Sequence, residues 1–357
     1  MKVHTISFTD FRNLHDSTHE LGAGINILYG DNAQGKTNFL EAAYICATGR
    51  SQRGAPDREM IRFGRKQAHV HVQIDDGTRI DIHLSRDGKK RAAVNHLPVR
   101  RLGDLFGNML TVVFSPEDLR LVKSGPGERR RFMDIELCQL SRVYYYELQQ
   151  YYRALKQRNN LLREIRGRGH NTDRDTLPVW DRQLAEFGRK ISERRNVFLE
   201  LLNPIASGIH ARITSKKETL NISYAPNSPA DNLEEMLAKN HEKDIAHGST
   251  SVGIHRDDLI FSVNGVDCRI YGSQGQQRTA SLSAKLAEVR FIREHKGHDP
   301  VLLLDDVLSE LDKDRQHFLM ESIENIQIIM TCTGAEDFLK MTLKGIKIMK
   351  VKDGRIE

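Results

Sequence analysis

Residues 30–37 read Gly30-Asp31-Asn32-Ala33-Gln34-Gly35-Lys36-Thr37, a pattern of two glycines separated by four residues and followed by lysine and threonine. Glycines permit a loop whose backbone N–H groups turn toward one anion. Lys36 can then reach the β- and γ-phosphates of a nucleotide, and the Thr37 hydroxyl can hold Mg²⁺. The apolar run at 24–29 predicts a strand before the loop, and residues 38–45 predict a helix after it, as this motif requires. The stretch therefore predicts a phosphate-binding loop, with Asn38 as a further nucleotide contact.

The length and composition are those of an ordinary globular protein, with 357 residues, of which 39% are hydrophobic and 29% charged. That length suits one large or two ordinary domains. A membrane protein is excluded, because no apolar run approaches the ~20 residues of a spanning helix. The first ten residues alternate like a strand and lack the apolar core of a signal peptide, so we expect the chain to stay in the cytoplasm. The widely spaced cysteines are expected to be reduced, structural thiols (Cys46, Cys138, Cys268 and Cys332).

The basic residues are concentrated in the middle of the chain. Residues 120–217 contain 21 Lys or Arg against 11 Asp or Glu, a net charge of +10, and the remainder contains 33 against 37, a net charge of −4. A surface that binds a polyanion would produce this distribution, and so would a dispersed, solvated charged face. The charge alone leaves both interpretations open.

Period-two patterns predict strands in the first third of the chain. Alternating apolar residues flank Asp76-Gly77 and continue past Asp87-Gly88 to Val94, which predicts an antiparallel meander. The continuous apolar run at 110–114 predicts a buried strand.

From about Glu117 the period changes toward 3.6, and strand patterns return at 219–224 and in a hairpin at 259–270. We therefore predict an α/β fold in two domains. Residues 117–249 are predicted to form an inserted helical arm between two parts that contain most of the predicted strands, residues 1–116 and 250–357.

Two long helices are predicted within the insertion. An apolar stripe from Phe132 to Ile165 describes the first, broken at Gly167-Arg168-Gly169, and a stripe from Trp180 to Leu201 describes the second, which ends near Asn203-Pro204. Two helices joined by a polar turn form an antiparallel arm. Tyrosines among the arginines could stack on bases, but their helical spacing favours packing between the helices (Tyr144, Tyr145, Tyr146, Tyr151 and Tyr152).

A second part of a nucleotide site is predicted where the apolar run 301–304 ends in Asp305 and Asp306. In phosphate-loop enzymes such a carboxylate orients magnesium opposite the threonine, so Asp305 and Thr37 are the predicted Mg²⁺ ligands. Asp306 follows where a general base for the attacking water is expected. Because aspartate is one methylene shorter than glutamate and reaches less far, we expect a slow ATPase with Lys36, Asp305 and Asp306 as catalytic residues.

Between these two motifs lies Ser273-Gln274-Gly275-Gln276-Gln277, called the signature below, which opens a helical pattern. Serine and glycine at a helix N-terminus form a second anion site. Since one chain already carries a phosphate loop, this second site is most useful when it serves the nucleotide of another subunit. An ordinary helix cap is the alternative.

The order of these motifs resembles the ABC-type ATPase heads of the SMC class and, within that class, the bacterial RecF family of recombination mediators. The resemblance covers essentially the whole length, and the following blocks carry it together with the phosphate loop and the Asp305-Asp306 strand: Phe11-Arg12-Asn13, Phe114-Ser115-Pro116-Glu117-Asp118-Leu119, Arg129-Arg130-Arg131-Phe132-Met133-Asp134, His255-Arg256-Asp257-Asp258-Leu259, Gly272 to Arg278 and Ser309-Glu310-Leu311-Asp312. SMC proteins carry hundreds of coiled-coil residues at the insertion, whereas this chain has room only for a short arm.

The resemblance implies that residues 1–116 and 250–357 form one ABC-type ATPase head, with a mixed β-sheet that carries the phosphate loop and an antiparallel β subdomain. It also implies an ATP-dependent homodimer with two nucleotides sandwiched between opposed heads. Ser273 and Gly275 of one subunit would then face the γ-phosphate held by Lys36 of the other, and Gln276 would be a further nucleotide contact. By the same matching, Arg12 and Asn13 would lie near the nucleotide, and residues 309–312 would form a loop that crosses the dimer. The family further implies binding to double-stranded and gapped DNA, and action with RecR and RecO in loading RecA.

Two positions depart from the family pattern. Ile254 stands where the family often has proline before His255. After the predicted strand 327–330 the chain reads Thr331-Cys332-Thr333, with no histidine where many ABC ATPases carry their switch residue. Thr331 is a candidate to substitute for that histidine.

Two other classes share part of this pattern. An ABC transporter subunit shares the phosphate loop, the signature and the Asp-ended strand, but its insertion would be compact, without the basic segment, and it would need a membrane partner. Another SMC-like head is a related alternative. A small-molecule kinase with the same loop would leave the signature unexplained.

Overall fold

The structure of the chain is a computed structural model that describes residues 1–118, 121–168, 171–333 and 345–357. Leu119 of the Phe114–Leu119 block and Gly169 of the predicted helix break lie outside these ranges. Among the described residues, no helix combines the length and the apolar character needed to cross a membrane.

The N-terminal part of the chain is mainly strands, with one long helix: β1 (Val3–Thr9), β2 (Ser17–Glu20), β3 (Ile25–Tyr29), α1 (Lys36–Thr48), β4 (Gln67–Ile74), β5 (Arg79–Ser85), β6 (Lys90–Val94), β7 (Leu97–Pro98) and β8 (Thr111–Phe114). The middle part is mainly helical: α2 (Pro126–Leu140), α3 (Arg142–Arg168), α4 (Leu177–Ile213), β9 (Leu220–Ala225), α5 (Leu233–Lys239), α6 (His241–His247), β10 (Asp258–Val263), β11 (Val266–Asp267), α7 (Cys268–Tyr271) and α8 (Gln274–Lys296). The C-terminal part alternates again: β12 (Val301–Asp305), α9 (Lys313–Ser322), β13 (Ile328–Cys332), β14 (Ile346–Lys352) and β15 (Arg355–Ile356).

The chain forms two compact units, the first from Met1–Leu119 with Glu288–Glu357 and the second from Arg120–Ala287. The sequence-based boundary at 250 differs from this division, because residues 250–287 group with the helical segment. Strand β10 explains the grouping, since it pairs with β9 along its length. Compactness does not define functional domains, so the assignment of residues 250–287 to an ATPase head stays a prediction.

The described residues of the first unit build two sheets. One has the order β15-β14-β3-β13-β12-β8, in which β14, β3, β13, β12 and β8 run parallel and β15 is antiparallel to β14. The other is antiparallel, with the order β2-β1-β4-β5-β6-β7. Helix α1 contacts strands of both sheets, and its buried apolar side chains join one core with theirs. The predicted α/β head, with a mixed sheet and an antiparallel subdomain, is confirmed.

The second unit corrects the prediction of one long helix between Phe132 and Ile165. The segment is two helices, because Ser141 between α2 and α3 has an extended backbone with φ −144° and ψ 109°. Its hydroxyl accepts a hydrogen bond from the Tyr144 N–H at 3.2 Å, the usual role of serine at a helix start. The apolar stripe runs through this break, so periodicity alone could not show it.

The predicted end of the second arm helix at Asn203-Pro204 is wrong, since α4 continues to Ile213 through Pro204. Proline inside a helix removes one backbone hydrogen bond, but tertiary contacts hold this region. The Asn203 side chain accepts a hydrogen bond from the Ile222 N–H of β9 at 2.6 Å, and α4 packs along β9.

The predicted hairpin at 259–270 is shorter than expected. Strand β11 ends at Asp267, whose side chain accepts from the Arg269 N–H and starts the helical turn α7.

Buried arginines hold the second unit together. Arg129, Arg158 and Arg195 are at most 1% exposed. Their partners are carboxylates: Arg129 pairs with Asp258, Arg158 with Asp181 and Asp244, and Arg195 with Asp134 and Asp257. Part of the basic excess of residues 120–217 is therefore internal and neutralised. The tyrosines divide likewise, since Tyr144 and Tyr151 are fully buried whereas Tyr146 and Tyr152 are partly exposed.

Candidate nucleotide site

The candidate site lies in the first unit at one edge of its parallel sheet. The phosphate loop follows β3, Asp305 ends β12, and Thr331 lies on β13 between those two strands. Asp305 pairs with Thr331, and Thr331 pairs with Leu28. Because the carboxyl ends of parallel strands meet at the same sheet edge, distant parts of the sequence arrive at one place.

Two glycines are required by the shape of the loop. Gly30 has φ +152°, and a side chain there would collide with the carbonyl oxygen of Val351 on β14. Gly35 has φ +116°, and a Cβ atom there would lie 2.9 Å from Asn13 Oδ1. Both positions demand a residue without a side chain, so the motif glycines serve loop shape and close packing together.

Lys36 begins α1 and turns back over the loop. Its Nζ donates to the carbonyl oxygens of Gly30 at 2.5 Å and Asp31 at 2.8 Å, and the side chain is buried. The ammonium group therefore lies within the loop that the sequence predicts to hold phosphates.

Asp305 receives two hydroxyl hydrogen bonds on the same oxygen. Thr37 Oγ1 donates to Asp305 Oδ1 at 2.9 Å, and Thr331 Oγ1 donates to it at 2.8 Å. The Thr331 hydroxyl also accepts from the Asp306 N–H at 2.9 Å. One threonine hydroxyl thus fixes both carboxylate-bearing residues, although it lies 25 residues from Asp306 in sequence.

Asp306 has a left-handed backbone with φ +50°, a conformation that aspartate tolerates better than most residues. Burial raises the pKa of its carboxyl, and the negative charge of Asp305 raises it further, while Lys36 acts in the opposite direction. A carboxyl with a raised pKa in a cleft is a reasonable proton acceptor.

Glu41 organises the side of the site formed by α1. It is fully buried and accepts from Arg12 Nε at 2.8 Å and Nη2 at 3.0 Å, from Arg53 Nη2 at 2.7 Å and from Ser51 Oγ at 2.5 Å. Burial alone would raise the pKa of Glu41, but the hydrogen bonds from Arg12, Arg53 and Ser51 outweigh it and lower that pKa. The carboxylate therefore holds two arginines beside the loop.

Asn13 and Asn38 connect this network to the loop. The Asn38 amide donates to Asn13 Oδ1 at 2.7 Å, and the Asn13 amide donates to the Ala33 carbonyl at 3.4 Å. Arg53 donates to Asn38 Oδ1 at 2.7 Å.

A cavity of about 330 Å³ lies at this edge of the sheet. The following residues line it: Asn32, Ala33, Gln34, Gly35, Lys36, Thr37, Asn38, Arg53, Asp305, Asp306 and Thr331. Among the predicted contacts of the first unit, four do not line the cavity: Gly30, Asp31, Arg12 and Asn13. Arg12 is held by Glu41, and Arg53 is the arginine at the cavity.

Two features of the site were missed in the sequence. Arg53 belongs to a basic loop at 50–54 that carried no motif, and only its pairing with Glu41 and Asn38 shows its position. The turn between β14 and β15 supports the loop, since the Asp353 N–H donates to Gln34 Oε1 at 2.5 Å and the Gly354 N–H donates to the Gln34 carbonyl at 2.9 Å. The Asp353-Gly354 pair is a hairpin signal that could have been read from the sequence.

The signature lies in the second unit, at the start of α8. The Ser273 N–H donates to Gln276 Oε1 at 2.9 Å, and the Gln276 N–H donates to Ser273 Oγ at 3.2 Å, a reciprocal capping box. Gln277 Nε2 donates to the Cys268 carbonyl at 3.0 Å. The predicted helix start is present, and Ser273 is exposed.

The donor set fits a magnesium ion. Thr37 and Asp305 offer a hydroxyl and a carboxylate oxygen, the ligands that Mg²⁺ prefers in company with substrate phosphates. Within the described ranges, no group of three or more His, Cys, Asp or Glu side chains could hold a metal by itself.

Known proteins similar in sequence to this chain include DNA replication and repair proteins. The family described as the RecF/RecN/SMC N terminal domain matches residues 2–357. The curated DNA replication and repair protein RecF of Lachnoclostridium phytofermentans is 46% identical over 361 residues, which cover 100% of this chain and 99% of that protein.

Solved structures agree over the same length. The recombination mediator protein RecF with ATP, in the RecFOR pathway, is 36% identical with a TM-score of 0.90, covering 99% of this chain and 96% of the other. The same mediator as RecF-ATPrS is 36% identical with a TM-score of 0.91, covering 100% and 97%. The chain therefore belongs to the RecF/RecN/SMC N-terminal domain family and, within that family, to the RecF group.

Proposed function

We propose that this chain is an ATP-dependent DNA-binding protein of recombinational repair and replication. In this proposal, ATP closes a homodimer on double-stranded DNA near gaps and junctions, and hydrolysis releases it. The observation that carries the proposal is the cavity at the sheet edge, which brings Lys36, Thr37, Asp305 and Asp306 together. RecF relatives named for DNA replication and repair, and a RecF structure with ATP, support the same assignment.

The loop would bind the phosphates of ATP. Lys36 would exchange its hydrogen bonds to the Gly30 and Asp31 carbonyls for phosphate oxygens, which attract its charge more strongly than neutral carbonyls do. Arg53 at the cavity wall and Asn38 beside it would add donors on the α1 side. The buried carboxylate of Glu41 keeps Arg53 in place through an ion pair.

Thr37 and Asp305 would hold Mg²⁺, which in this enzyme class neutralises charge on the β- and γ-phosphates. The chain's own contribution to hydrolysis is a positioned carboxylate. Asp306 would accept the proton of the attacking water, and the Thr331 hydroxyl would fix it by accepting its N–H and donating to Asp305. Thr331 would thus replace the switch histidine of other ABC ATPases. The short reach of aspartate favours slow, DNA-stimulated turnover.

Dimerisation would complete the site. Ser273 is exposed at the start of α8 with its backbone held by the capping box, so it and Gly275 could face the γ-phosphate held by another copy. Hydrolysis would then depend on the dimer. Residues 309–312 would form the crossing loop.

The second unit would supply most of the electrostatic attraction to DNA. Residues 120–287 contain 27 Lys or Arg against 20 Asp or Glu, a net charge of +7. After the buried ion pairs are set aside, exposed cations remain along α3: Arg142, Arg153, Lys156, Arg163 and Arg166. Contacts of this kind reach phosphates, so binding should be largely independent of sequence and should weaken steeply with salt.

RecR, RecO and RecA are proposed as partners on the strength of the family. The RecFOR pathway appears with the solved RecF relatives, and bacterial DNA repair would place the chain in the cytoplasm.

The proposal is tested by Lys36→Arg and Ser273→Arg, each sized with ATP and with ADP in the presence of duplex DNA. The parent should dimerise with ATP and not with ADP, and both variants should stay monomeric with either nucleotide. Lys36→Arg should fail because it holds the nucleotide poorly, and Ser273→Arg because its side chain blocks the opposed surface. If both variants dimerise like the parent, the sandwich arrangement is wrong. Binding to DNA that does not change between about 50 and 200 mM salt would contradict the phosphate contacts.

A further inference from the structure

The C-terminal end of arm helix α4 is connected to the signature by side-chain hydrogen bonds within the second unit. His210 lies in the last turn of α4 and is fully buried. Its Nε2 lies 3.2 Å from Glu218 Oε2. The other carboxylate oxygen, Glu218 Oε1, accepts from Gln276 Nε2 at 2.9 Å.

Gln276 is therefore shared between two neighbours. Its Oε1 receives the Ser273 N–H in the capping box, while its Nε2 donates to Glu218. The amide of one glutamine fixes the backbone N–H of the proposed γ-phosphate serine, and the orientation of that amide is fixed in turn by Glu218. Without a partner for Nε2, the glutamine amide would be free to rotate away from Ser273.

A second contact joins the same two helices about two turns further along α8. His210 Nδ1 lies 3.2 Å from Ser283 Oγ, and the Ser283 hydroxyl donates to the Thr279 carbonyl at 2.7 Å. Thr279 in turn donates to the Gly275 carbonyl at 2.8 Å. The end of α4 thus reaches the signature helix at two points about two turns apart, through Glu218 at Gln276 and directly at Ser283.

We propose that Glu218 is a positioning residue for ATP hydrolysis, which ties the end of arm helix α4 to the Ser273–Gln276 capping box and so holds the signature in shape for the second subunit's nucleotide. This inference rests on the proposed function. Glu218 touches neither nucleotide nor reacting atoms in this role and acts only through Gln276. Its side chain is largely but not fully buried, at 22% exposure, so the carboxylate lies at the edge of the unit, beside the signature.

The first test is Glu218→Ala beside Glu200→Ala, a matched control that removes an exposed carboxylate from α4 itself. Glu218→Ala should lower kcat for ATP hydrolysis by about tenfold, the equivalent of one charge-assisted hydrogen bond. The affinity of monomeric protein for a fluorescent ATP analogue should stay within about twofold of the parent. Glu200→Ala should leave both unchanged.

The second test is a rescue that a merely structural role would not produce. Glu218→Gln keeps an amide oxygen that can accept from Gln276 Nε2, so kcat should stay within about threefold of the parent. Glu218→Leu fills a similar space without an acceptor, and kcat should fall about tenfold, as in Glu218→Ala.

The outcomes separate the inference from the proposed function. A Glu218→Ala protein with parental kcat, or a Glu218→Gln protein as slow as Glu218→Leu, would overturn the role of Glu218. Should Glu218→Ala fail to fold, the comparison of Glu218→Gln with Glu218→Leu still decides the question. A parent protein that neither dimerises with ATP nor hydrolyses it would instead contradict the proposed function.

Discussion

Thr331→Val removes one hydroxyl from the centre of the candidate site while keeping the shape of the side chain. Thr331 is buried on β13, where valine is equally at home in a strand. The substitution deletes the hydrogen bond to Asp305 Oδ1 at 2.8 Å and the acceptor of the Asp306 N–H at 2.9 Å. The substitution therefore acts on the carboxylate of Asp305 and on the backbone of Asp306.

The magnitude follows from these two bonds. A hydrogen bond to a carboxylate contributes about 1.5–3 kcal/mol, and an N–H left without its acceptor costs about 1–3 kcal/mol when buried. Asp305 keeps the hydrogen bond from Thr37, and Asp306 is only half-buried, so the net effect should lie near the lower end, at about 1.5–2 kcal/mol. Expressed as a barrier, that lowers kcat about 10- to 30-fold.

The assay is steady-state ATP hydrolysis with saturating duplex DNA, together with ATP affinity and urea unfolding. Thr331→Val should lower kcat while ATP affinity changes by less than about threefold, because Lys36 and the loop are untouched. Thr331→Ser keeps the hydroxyl and should stay within about threefold of the parent. A Thr331→Val protein that folds normally and hydrolyses ATP at the parental rate would refute the role assigned to this hydroxyl.

Glu41→Gln should lower the free energy of unfolding by about 2 kcal/mol at pH 7, less than a fully buried pair because Arg53 is half exposed. Hydrogen bonds lower the pKa of Glu41 in the folded protein. The stabilisation by the Glu41 carboxylate is therefore complete above its unfolded pKa of about 4.3 and is lost as the pH falls through its lower folded pKa. The free energies of unfolding of parent and variant, measured in urea, should converge in acid. Burial raises the pKa of Asp306, so kcat should decline with falling pH before the ordinary aspartate value of about 3.9 is reached; a profile flat down to that pH argues against Asp306 as the base. Arg195→Met leaves two carboxylates without their buried guanidinium and should lower the free energy of unfolding by about 3–5 kcal/mol. The neighbouring residue Arg194 is half-exposed, and Arg194→Met should change that free energy by less than about 1 kcal/mol. Equal effects of the two substitutions in urea unfolding would be inconsistent with the buried pair.

Local sequence determined the elements that depend on local physics. The phosphate loop was readable because glycine, lysine and threonine at fixed spacing have one common use, and the structure gives Gly30 and Gly35 backbone shapes that only glycine accepts easily. Alternation predicted the meander, and the apolar run before Asp305 predicted a strand with its carboxylates at the end. These patterns follow from the side-chain period of a strand and need no knowledge of the rest of the chain.

Where one element ends was less readable. Neither the break at Ser141 nor the passage of α4 through Pro204 changes the apolar period. In the structure the Tyr144 N–H donates to Ser141, and Asn203 accepts from the Ile222 N–H while α4 packs along β9. The charge pattern was likewise incomplete. Sequence counts Arg129, Arg158 and Arg195 as surface cations, while the fold uses them as buried partners of carboxylates up to 129 residues away.

The sequence by itself determined which residues are candidates for phosphate, metal and proton chemistry, since such candidates are recognised by residue type and spacing. Only the tertiary structure decided which residues meet. Thr331 reaches Asp305 and Asp306 because β13 lies between β3 and β12, Arg53 reaches the cavity because Glu41 holds it, and Glu218 reaches Gln276 because α4 ends beside α8. Strand order and helix packing arise from burial over the whole chain, and no local pattern encodes them.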